Sequence, residues 1–313
     1  MPGEAPTRFE AKGSSMIRLG IVDFDTSHVV EFTKRLNGVD IAKDQWVAGA
    51  KVVAGVPGTS LISPETIPKN IETLKRYGVE ILDDPAKLVG KVDAVLIESV
   101  DGGVHLERAL PFLEKGIPTY VDKPFACSLA DAKKLAETAM AKHVPLMSSS
   151  SLRYAPEVVA AKSGATVGEI VGVTTYGPSP LHPSRNPGMF HYGIHPVEML
   201  FTLMGPGCKR LTCLSRPGGE VTTGTWADGR VATIRGLRAG STPYGFTLFG
   251  SKGVSTQGVS TTYIYRELLK KIVGMFETKE MPIDLRETLE IVAFIEAAKR
   301  SAEQEGAPMD LKI

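Results

Sequence analysis

The sequence predicts a two-domain α/β protein, in which a doubly wound parallel sheet precedes an α+β domain with a large, mostly antiparallel sheet. The length of 313 residues suits two hydrophobic cores better than one. In the first half, short apolar runs alternate with helical patterns, which is typical of parallel strands covered on both faces. In the second half, neighbouring strand-like runs follow one another without helices between them, which indicates antiparallel pairing.

The strands of the first half are buried apolar runs. They are predicted at 17–22, 51–56, 93–97, 118–121 and 144–149. Helical patterns lie between them, and Gly78 and Gly116 are placed as C-terminal stops. Asp84 and Ser128 are predicted helix N-caps. In a doubly wound sheet of this Rossmann type, binding sites lie at the carboxyl ends of the strands.

The second half has a different order of predicted helices and strands. A short helix (156–163) and a long strand (168–177) lead into a proline-rich loop (177–188) and a helix (195–205). Further strands are predicted at 209–215, 220–226, 230–237 and 245–249, and helices at 264–278 and 284–304. We divide the chain into a flexible tail (1–15), a Rossmann-like first domain (16–151) and an α+β second domain (152–313).

Composition argues against several classes of protein. The 36 basic and 35 acidic residues nearly cancel, which disfavours a nucleic-acid binder or a protein of anionic membrane surfaces. No apolar stretch approaches the roughly 20 residues of a membrane span, and the N-terminus lacks the apolar core of a signal peptide. Cys127, Cys208 and Cys213 form neither a disulfide framework nor a metal-ligand pattern. We expect a cytoplasmic protein that binds a small-molecule substrate.

Lys123 is the first candidate for an active-site residue. It follows the strand at 118–121 and the acid Asp122, so it lies at the carboxyl edge of the predicted sheet. There an ammonium group can donate a proton or a hydrogen bond to a substrate hydroxyl or carbonyl. The alternative is a solvated loop lysine, which is the commoner situation for this residue type.

Two histidines surround the start of the helix predicted at 195–205. His191 and His195 are four residues apart, so both imidazoles face one cleft if the helix begins near Gly193. Neutral histidine relays protons near pH 7. One alternative is a pair of helix-flanking histidines with local hydrogen bonds. Another is a metal site of His191, His195 and Glu198, although the proline directly after His195 makes this the weaker interpretation.

The loop after the first strand, 23–28 (DFDTSH), departs from a dinucleotide-binding pattern. Glycines at Gly-x-Gly-x-x-Gly let a pyrophosphate approach the helix N-terminus, and Asp23, Asp25 and His28 occupy those three positions here. Two carboxylates there repel phosphates and take up space. The second strand ends in 56–58 (VPG), without the acid that holds an adenosine ribose. The loop is either a polar helix cap, or a site for a different ligand or for a nucleotide in an altered pose.

Taken together, the motifs resemble the glucose–fructose oxidoreductase/inositol dehydrogenase/MocA family. Asp122-Lys123-Pro124 is similar to that family's Glu-Lys-Pro signature. The other similar segments are 99–105 (SVDGGVH), 153–156 (RYAP), 167–170 (VGEI) and 191–195 (HYGIH). The last of them resembles the family's Asp-x-Gly-x-His motif, with His191 in place of the aspartate. The similar segments occur in the family's order along the chain.

The resemblance implies a Rossmann domain that holds NAD or NADP and a homodimer or homotetramer formed through the second domain's open sheet. It implies reversible hydride transfer at a carbon of a sugar, polyol or related compound, in which Lys123 and His195 relay the proton beside His191. The expected cofactor contacts are Asp25, Thr26, Ser27, His28, Ser99, His105, Asp122 and Lys123. The expected substrate contacts are Arg153, His182, Arg185 and His191, with Asn186 in the same loop.

Two other functions are compatible with these residues. The first is a lyase, epimerase or isomerase that keeps Lys123 and His195 but not the redox cofactor, with a metal held by His191 and His195. The second is a non-catalytic ligand-binding relative. A paired acid and base argue against the second function, while the missing glycines argue against hydride transfer.

Overall fold

The first sheet is parallel and has six strands. The computed structural model describes residues 16–313, so the predicted tail at 1–15 lies outside the described residues. The strands are β1 (Ile17–Val22), β2 (Ala50–Val56), β3 (Glu80–Ile81), β4 (Ala94–Ile97), β5 (Thr119–Val121) and β6 (Leu146–Ser148). They are arranged in the order β3-β2-β1-β4-β5-β6, which confirms the doubly wound fold. The carboxyl ends of β1 and β4 meet where the strand order reverses, which is where ligands bind in such sheets.

The helices of the first half lie between its strands, as the alternating pattern predicts. They are α1 (His28–Asn37), α2 (Ile67–Arg76), α3 (His105–Glu114) and α4 (Leu129–Lys142). Ser128 caps α4, because its hydroxyl accepts the N–H of Asp131 at 3.1 Å. Asp84 also acts as a cap, but the turn that follows it is a short 3-10 helix. Gly78 and Gly116 adopt positive φ angles just after α2 and α3, so both stops are confirmed.

The second sheet has seven strands and is mostly antiparallel. Its elements are α5 (Pro156–Ala161), β7 (Ile170–Pro178), α6 (Ile194–Met204), β8 (Cys208–Arg216), β9 (Gly219–Trp226), β10 (Val231–Leu237), β11 (Gly245–Gly250), β12 (Gly253–Gly258), α7 (Ile264–Thr278), α8 (Leu285–Glu303) and β13 (Met309–Asp310). The strand order is β12-β11-β7-β10-β9-β8-β13. Within the described part of this second sheet, only the pairing of β7 with β10 is parallel.

The C-terminal helices divide between the two halves of the molecule. α6 and α8 pack on the second sheet, and all residues of α6 are buried. α7 instead returns to the first half, where Leu269, Ile272 and Phe276 join the cluster that contains Phe32 of α1. The C-terminal segment therefore completes the core of the first sheet. The proposed domain boundary between residues 151 and 152 falls within a 3-10 helix, Ser151–Tyr154.

The structure also bears on membranes and disulfides. Within the described part of the chain, no helix is long and apolar enough to cross a membrane. Cys127, Cys208 and Cys213 are free cysteines in the described structure.

Candidate active site

A cavity of about 300 Å³ lies at the carboxyl edge of the first sheet, against the second half of the chain. It gathers Thr26 from the turn before α1, His28 from the start of α1, Lys123 from the end of β5, His195 from the first turn of α6 and Tyr265 from the first turn of α7. A surface depression of about 360 Å³ beside α3 is larger, but the predicted catalytic residues do not line it. The smaller cavity is therefore the candidate active site.

Lys123 is a buried residue of this cavity. It is only 7% exposed, so it is not the solvated loop lysine of the alternative interpretation. Its backbone N–H donates to the carboxylate of Asp122 at 2.8 Å, which fixes the turn as the chain leaves β5. Its Nζ lies 5.7 Å from the ring centroid of Tyr192. No carboxylate of residues 16–313 lies within 4.0 Å of this nitrogen, so the ammonium is available to a ligand.

His195 faces the same cavity. Its Nδ1 forms a hydrogen bond with the Ser150 hydroxyl at 2.7 Å, which fixes the orientation of the ring. The rings of Tyr192 and Tyr244 lie beside it, with centroids 5.8 and 5.7 Å away. Burial, followed by the charge of Lys123, lowers the pKa of His195 well below its ordinary value. The imidazole is therefore neutral at pH 7 and can accept a proton.

His191 lies next to the cavity rather than in its lining. Its ring packs against His182 and Tyr192, with centroids 5.4 and 4.9 Å away. Its Nδ1 is buried and has no hydrogen-bond partner in the described part of the protein. Burial, and then the charge of Lys123, lowers the pKa of His191 to about 4. The expectation that both histidines face one cleft holds for His195 only.

Arg153 forms a buried ion-pair network instead of a substrate contact. Its Nη2 lies 2.8 Å from Glu198, and its Nη1 lies 2.6 Å from Glu287. Arg153 is 6% exposed and does not line the cavity, which corrects its predicted role. Burial raises the pKa of Glu198, although Arg153 opposes this shift. Because this carboxylate is committed to Arg153, the structure also argues against a metal site of His191, His195 and Glu198.

The proline-rich loop 177–188 is held by the loop that follows β4. Arg185 donates to Asp101 at 2.5 Å, and the amide of Asn186 donates to the carbonyl of Val100 at 2.8 Å. The Nδ1 of His182 accepts the backbone N–H of Arg185 at 2.9 Å. These side chains have partners within the protein and do not line the cavity. Their predicted contacts with substrate are therefore replaced by contacts that position the loop.

The two carboxylates of the turn after β1 also have partners within the protein. Asp23 has a φ of 66°, so it adopts the left-handed conformation that a glycine would take. Its carboxylate accepts from the Ser99 hydroxyl at 2.5 Å and from Arg108 at 3.2 Å. Asp25 accepts the backbone N–H of Val100 at 3.0 Å. Both carboxylates thus tie β1 to the loop after β4 rather than face the cavity, and burial raises the pKa of each.

His28 opens α1 and links it to the end of β5. Its Nδ1 donates to Asp122 at 2.7 Å, and its ring stacks on Phe32 with the centroids 5.2 Å apart. Burial alone would raise the pKa of Asp122. His28 and Lys123 outweigh that effect and hold this pKa at about 2. The side chain at the last glycine position therefore forms part of the floor of the cavity.

His105 has a structural position behind the cavity. It is fully buried, and its ring nitrogens lie 2.8 Å from the carbonyl oxygens of Ser99 and Pro124. The ring bridges the loops after β4 and β5 and does not line the cavity. His105 therefore does not make the predicted cofactor contact from the cavity lining. Its ring instead positions the loop that follows β4.

Several residues of the site were not predicted. Tyr192, Tyr244 and Tyr265 form aromatic walls, and Glu98 is fully buried at the end of β4, where neither carboxylate oxygen has a hydrogen-bond partner among the residues that the structure describes. A glutamate that ends the apolar run 93–97 was a visible signal for Glu98. Tyr192 lies within the segment 191–195 that was singled out for its histidines, whereas Tyr244 and Tyr265 had no such signal because they reach the cavity from separate parts of the second half.

The comparisons with known proteins agree with this architecture. Residues 59–150 match the sequence model of the Gfo/Idh/MocA family, described as an oxidoreductase family with an NAD-binding Rossmann fold. The match begins after the altered turn at 23–28. No curated protein matches the sequence. The matched segment spans 92 of the 313 residues, less than a third of the chain.

Solved structures with the same fold cover nearly the whole chain. GenD2 from gentamicin A biosynthesis, in complex with NAD, has a TM-score of 0.79 at 15% identity, covering 99% of this chain and 100% of its own. A myo-inositol dehydrogenase from Corynebacterium glutamicum ATCC 13032 has a TM-score of 0.78 at 13% identity, covering 96% and 100%. A myo-inositol 2-dehydrogenase from Lactobacillus plantarum has a TM-score of 0.77 at 16% identity, covering 95% and 100%. At these identities the likeness shows the fold.

The start of α1 fits the phosphates of NAD(P) despite the missing glycines. Thr26, Ser27 and His28 line the cavity; Ser27, at the N-cap, makes no capping hydrogen bond with its side chain, while the Thr26 hydroxyl accepts the backbone N–H of His28 at 3.3 Å. A helix start whose N-cap side chain makes no such bond presents backbone N–H groups that suit a phosphate. Asp23 and Asp25, whose charges oppose a phosphate, are 1% and 3% exposed and are turned away from the cavity. The residues present therefore fit the cofactor, with two buried negative charges behind the phosphate position.

Proposed function

Because the family match and the shared fold support membership of the Gfo/Idh/MocA oxidoreductases, we propose that the protein reversibly oxidises a hydroxyl-bearing carbon of a sugar, polyol or related compound. The observation that carries this proposal is the pairing of Lys123 and His195 in one cavity beside the start of α1. Bound NAD(P) supplies the hydride acceptor or donor. Thr26, Ser27 and His28 would hold its phosphates, and Lys123 would lie near its reactive end.

Lys123 and His195 divide the proton chemistry in this proposal. The buried ammonium of Lys123 donates a hydrogen bond to the substrate oxygen and stabilises negative charge on it. His195 is neutral because burial and Lys123 lower its pKa, so it accepts the hydroxyl proton during oxidation. Ser150 holds the ring in place through its 2.7 Å hydrogen bond. His191 supports this arrangement from behind Tyr192 and is a positioning residue.

The lining of the cavity suits a small hydroxylated ligand. Tyr192, Tyr244 and Tyr265 provide flat aromatic walls with polar ends. Burial raises the pKa of Tyr244 and of Tyr265, so their hydroxyls stay neutral and can donate hydrogen bonds. A few polar groups on apolar walls are typical of small-molecule sites.

We propose a homodimer or homotetramer that forms through the open face of the second sheet. Val231 of β10 and Phe249 of β11 lie opposite Gly172 of β7 on this face, and Val254 of β12 pairs with Phe249. The three apolar side chains are exposed by 47%, 41% and 65% respectively. Contiguous exposed apolar residues of this kind are typical of interaction surfaces.

The test combines nucleotide binding with a screen of substrates. We expect NAD or NADP to raise the melting temperature of the protein, because a ligand that binds only the folded state stabilises it. A screen of sugars and polyols for nucleotide reduction then identifies the substrate. Lys123→Met should lower the turnover of that substrate by at least about a thousandfold. The exposed Lys142→Met is the matched control, and near-wild-type activity of Lys123→Met would remove Lys123 from the mechanism.

A further inference from the structure

We propose that His28, Glu98 and Asp122 bind one divalent cation directly beneath the cavity. His28 starts α1, Glu98 follows β4 and Asp122 follows β5, so the three elements of the switch point each supply one side chain. One potential ligand atom from each residue lies within 4.8 Å of the others. The inference does not depend on the proposed oxidoreductase activity.

Glu98 is the observation that points to a missing ligand. It is 0% exposed, and neither of its carboxylate oxygens has a hydrogen-bond partner among residues 16–313. Its Oε2 lies 3.8 Å from the Nδ1 of His28, so the carboxylate is directed into the cluster. A buried carboxylate without partners is costly, because it has lost its hydration and gained nothing in return. Protonation would remove the charge but would still leave both oxygens without partners.

The charges at this edge of the sheet leave room for a dication. Four carboxylates are buried here, those of Asp23, Asp25, Glu98 and Asp122. The cations that face them are Lys123, which acts on Glu98 and Asp122, Arg108, which pairs with Asp23, and, when it is protonated, His28, which pairs with Asp122. A histidine that binds a metal is neutral, so two negative charges remain without a counter-ion when His28 acts as a ligand and all four acids are ionised. One divalent cation balances them.

The geometry suits a first-row transition metal such as Zn²⁺ or Mn²⁺. Metal bonds to histidine nitrogen and carboxylate oxygen are about 2.0–2.2 Å long, so neighbouring ligand atoms in a tetrahedral site are about 3.3–3.6 Å apart. The Nδ1 of His28 lies 2.7 Å from a carboxylate oxygen of Asp122 and 3.8 Å from one of Glu98. One distance is shorter and the other longer than the separation in a tetrahedral site. One imidazole with two carboxylates is a borderline-hard donor set that these metals accept. A fourth position remains for water.

Metal-free protein provides the direct test. The full-length chain is stripped with a chelator, dialysed and titrated with Zn²⁺, Mn²⁺ and Co²⁺, with calorimetry for affinity, thermal unfolding for stability and visible absorption for Co²⁺ coordination. We expect one ion per chain and a higher melting temperature in saturating metal. Glu98→Gln and His28→Gln should each weaken binding on the order of 100-fold. His191→Gln, which replaces a histidine next to the cavity but outside the cluster, should bind as the wild type does.

The melting temperature of the metal-free variants separates loss of the site from loss of the fold. Glu98→Gln keeps the shape of the side chain and removes an unpaired buried charge, so it should be at least as stable as the metal-free wild type. That stability, together with lost metal binding, supports the site. The site is wrong if the wild type binds none of the three ions stoichiometrically. It is equally wrong if Glu98→Gln binds with wild-type affinity, or if His191→Gln loses as much affinity as His28→Gln.

Discussion

Replacing Arg153 by methionine removes the one cation that pairs with two carboxylates near α6. The side chains of Arg153, Glu198 and Glu287 are only 7%, 5% and 17% exposed. Removing one partner from a buried ion pair leaves an uncompensated charge and costs about 3–5 kcal/mol. We therefore expect Arg153→Met to lower the free energy of unfolding by about that amount.

Arg210→Met is the matched control for this substitution. Arg210 pairs with Asp310 at 2.7 Å, but the two side chains are 62% and 56% exposed. Solvent screens such a pair, so its loss should cost less than about 1 kcal/mol. Urea unfolding followed by tryptophan fluorescence measures both variants, and Trp46 and Trp226 report on the first and second halves of the fold.

The effect of Arg153→Met should also depend on pH. Burial raises the pKa of Glu198 in the folded protein, and loss of Arg153 raises it further. An acid whose pKa is higher in the folded state destabilises the fold above its unfolded pKa, and protonation relieves that cost as the pH falls. The loss in Arg153→Met should therefore shrink between about pH 8 and about pH 5. A loss no larger than that of the control, or one that grows at lower pH, would refute the reasoning.

Two further predictions concern the cofactor and the base. Asp25→Asn keeps the acceptor oxygen for Val100 and removes a buried negative charge next to the start of α1, so calorimetry should show about threefold to tenfold tighter NAD(P) binding. Exposed Asp93→Asn is the control, and unchanged or weaker binding by Asp25→Asn contradicts the expectation. Because the pKa of His195 lies well below its ordinary value, kcat/KM should stay constant from about pH 8 down to about pH 6 and fall only in more acid solution. The expectation is wrong if the kcat/KM profile of the wild type has an inflection near pH 6.5 that the profile of His195→Gln lacks, because His195 would then titrate at its ordinary pKa.

The fold followed from the sequence because its elements carry strong local patterns. β4 is a continuous apolar run, and α7 begins and ends where its periodicity predicts. The three missed strands lack such a signal. β3 and β13 have two residues each, too few to show a period. β12 (GVSTQG) has a single large apolar residue, because it lies at the exposed edge of its sheet.

The site was only partly predictable, because the partners of its side chains are distant in the chain. Lys123 and His195 line the cavity, and each lies at the end of an element with a readable pattern. Arg153 and His105 belong to motifs that suggest ligand contacts, yet Glu287 and Pro124 engage them within the protein. Both side chains are buried against partners that are distant in the sequence. No local sequence pattern identifies such a partner, so these roles could not be predicted. The burial of the Glu98 side chain likewise depends on how β4 and its neighbours assemble in the sheet.

The position of α7 has a consequence for how the protein is made. The first sheet and α1 emerge from the ribosome well before α7 is synthesised, so the apolar surface around Phe32 has no cover during that interval. Leu269 and Ile272 close this surface only near the end of translation. Tyr265, in the same helix, adds its wall to the cavity at the same moment. A nascent chain interrupted before this helix would therefore expose an apolar surface that favours aggregation, and it could not enclose a ligand. The binding cavity forms only in a chain whose translation has passed α7.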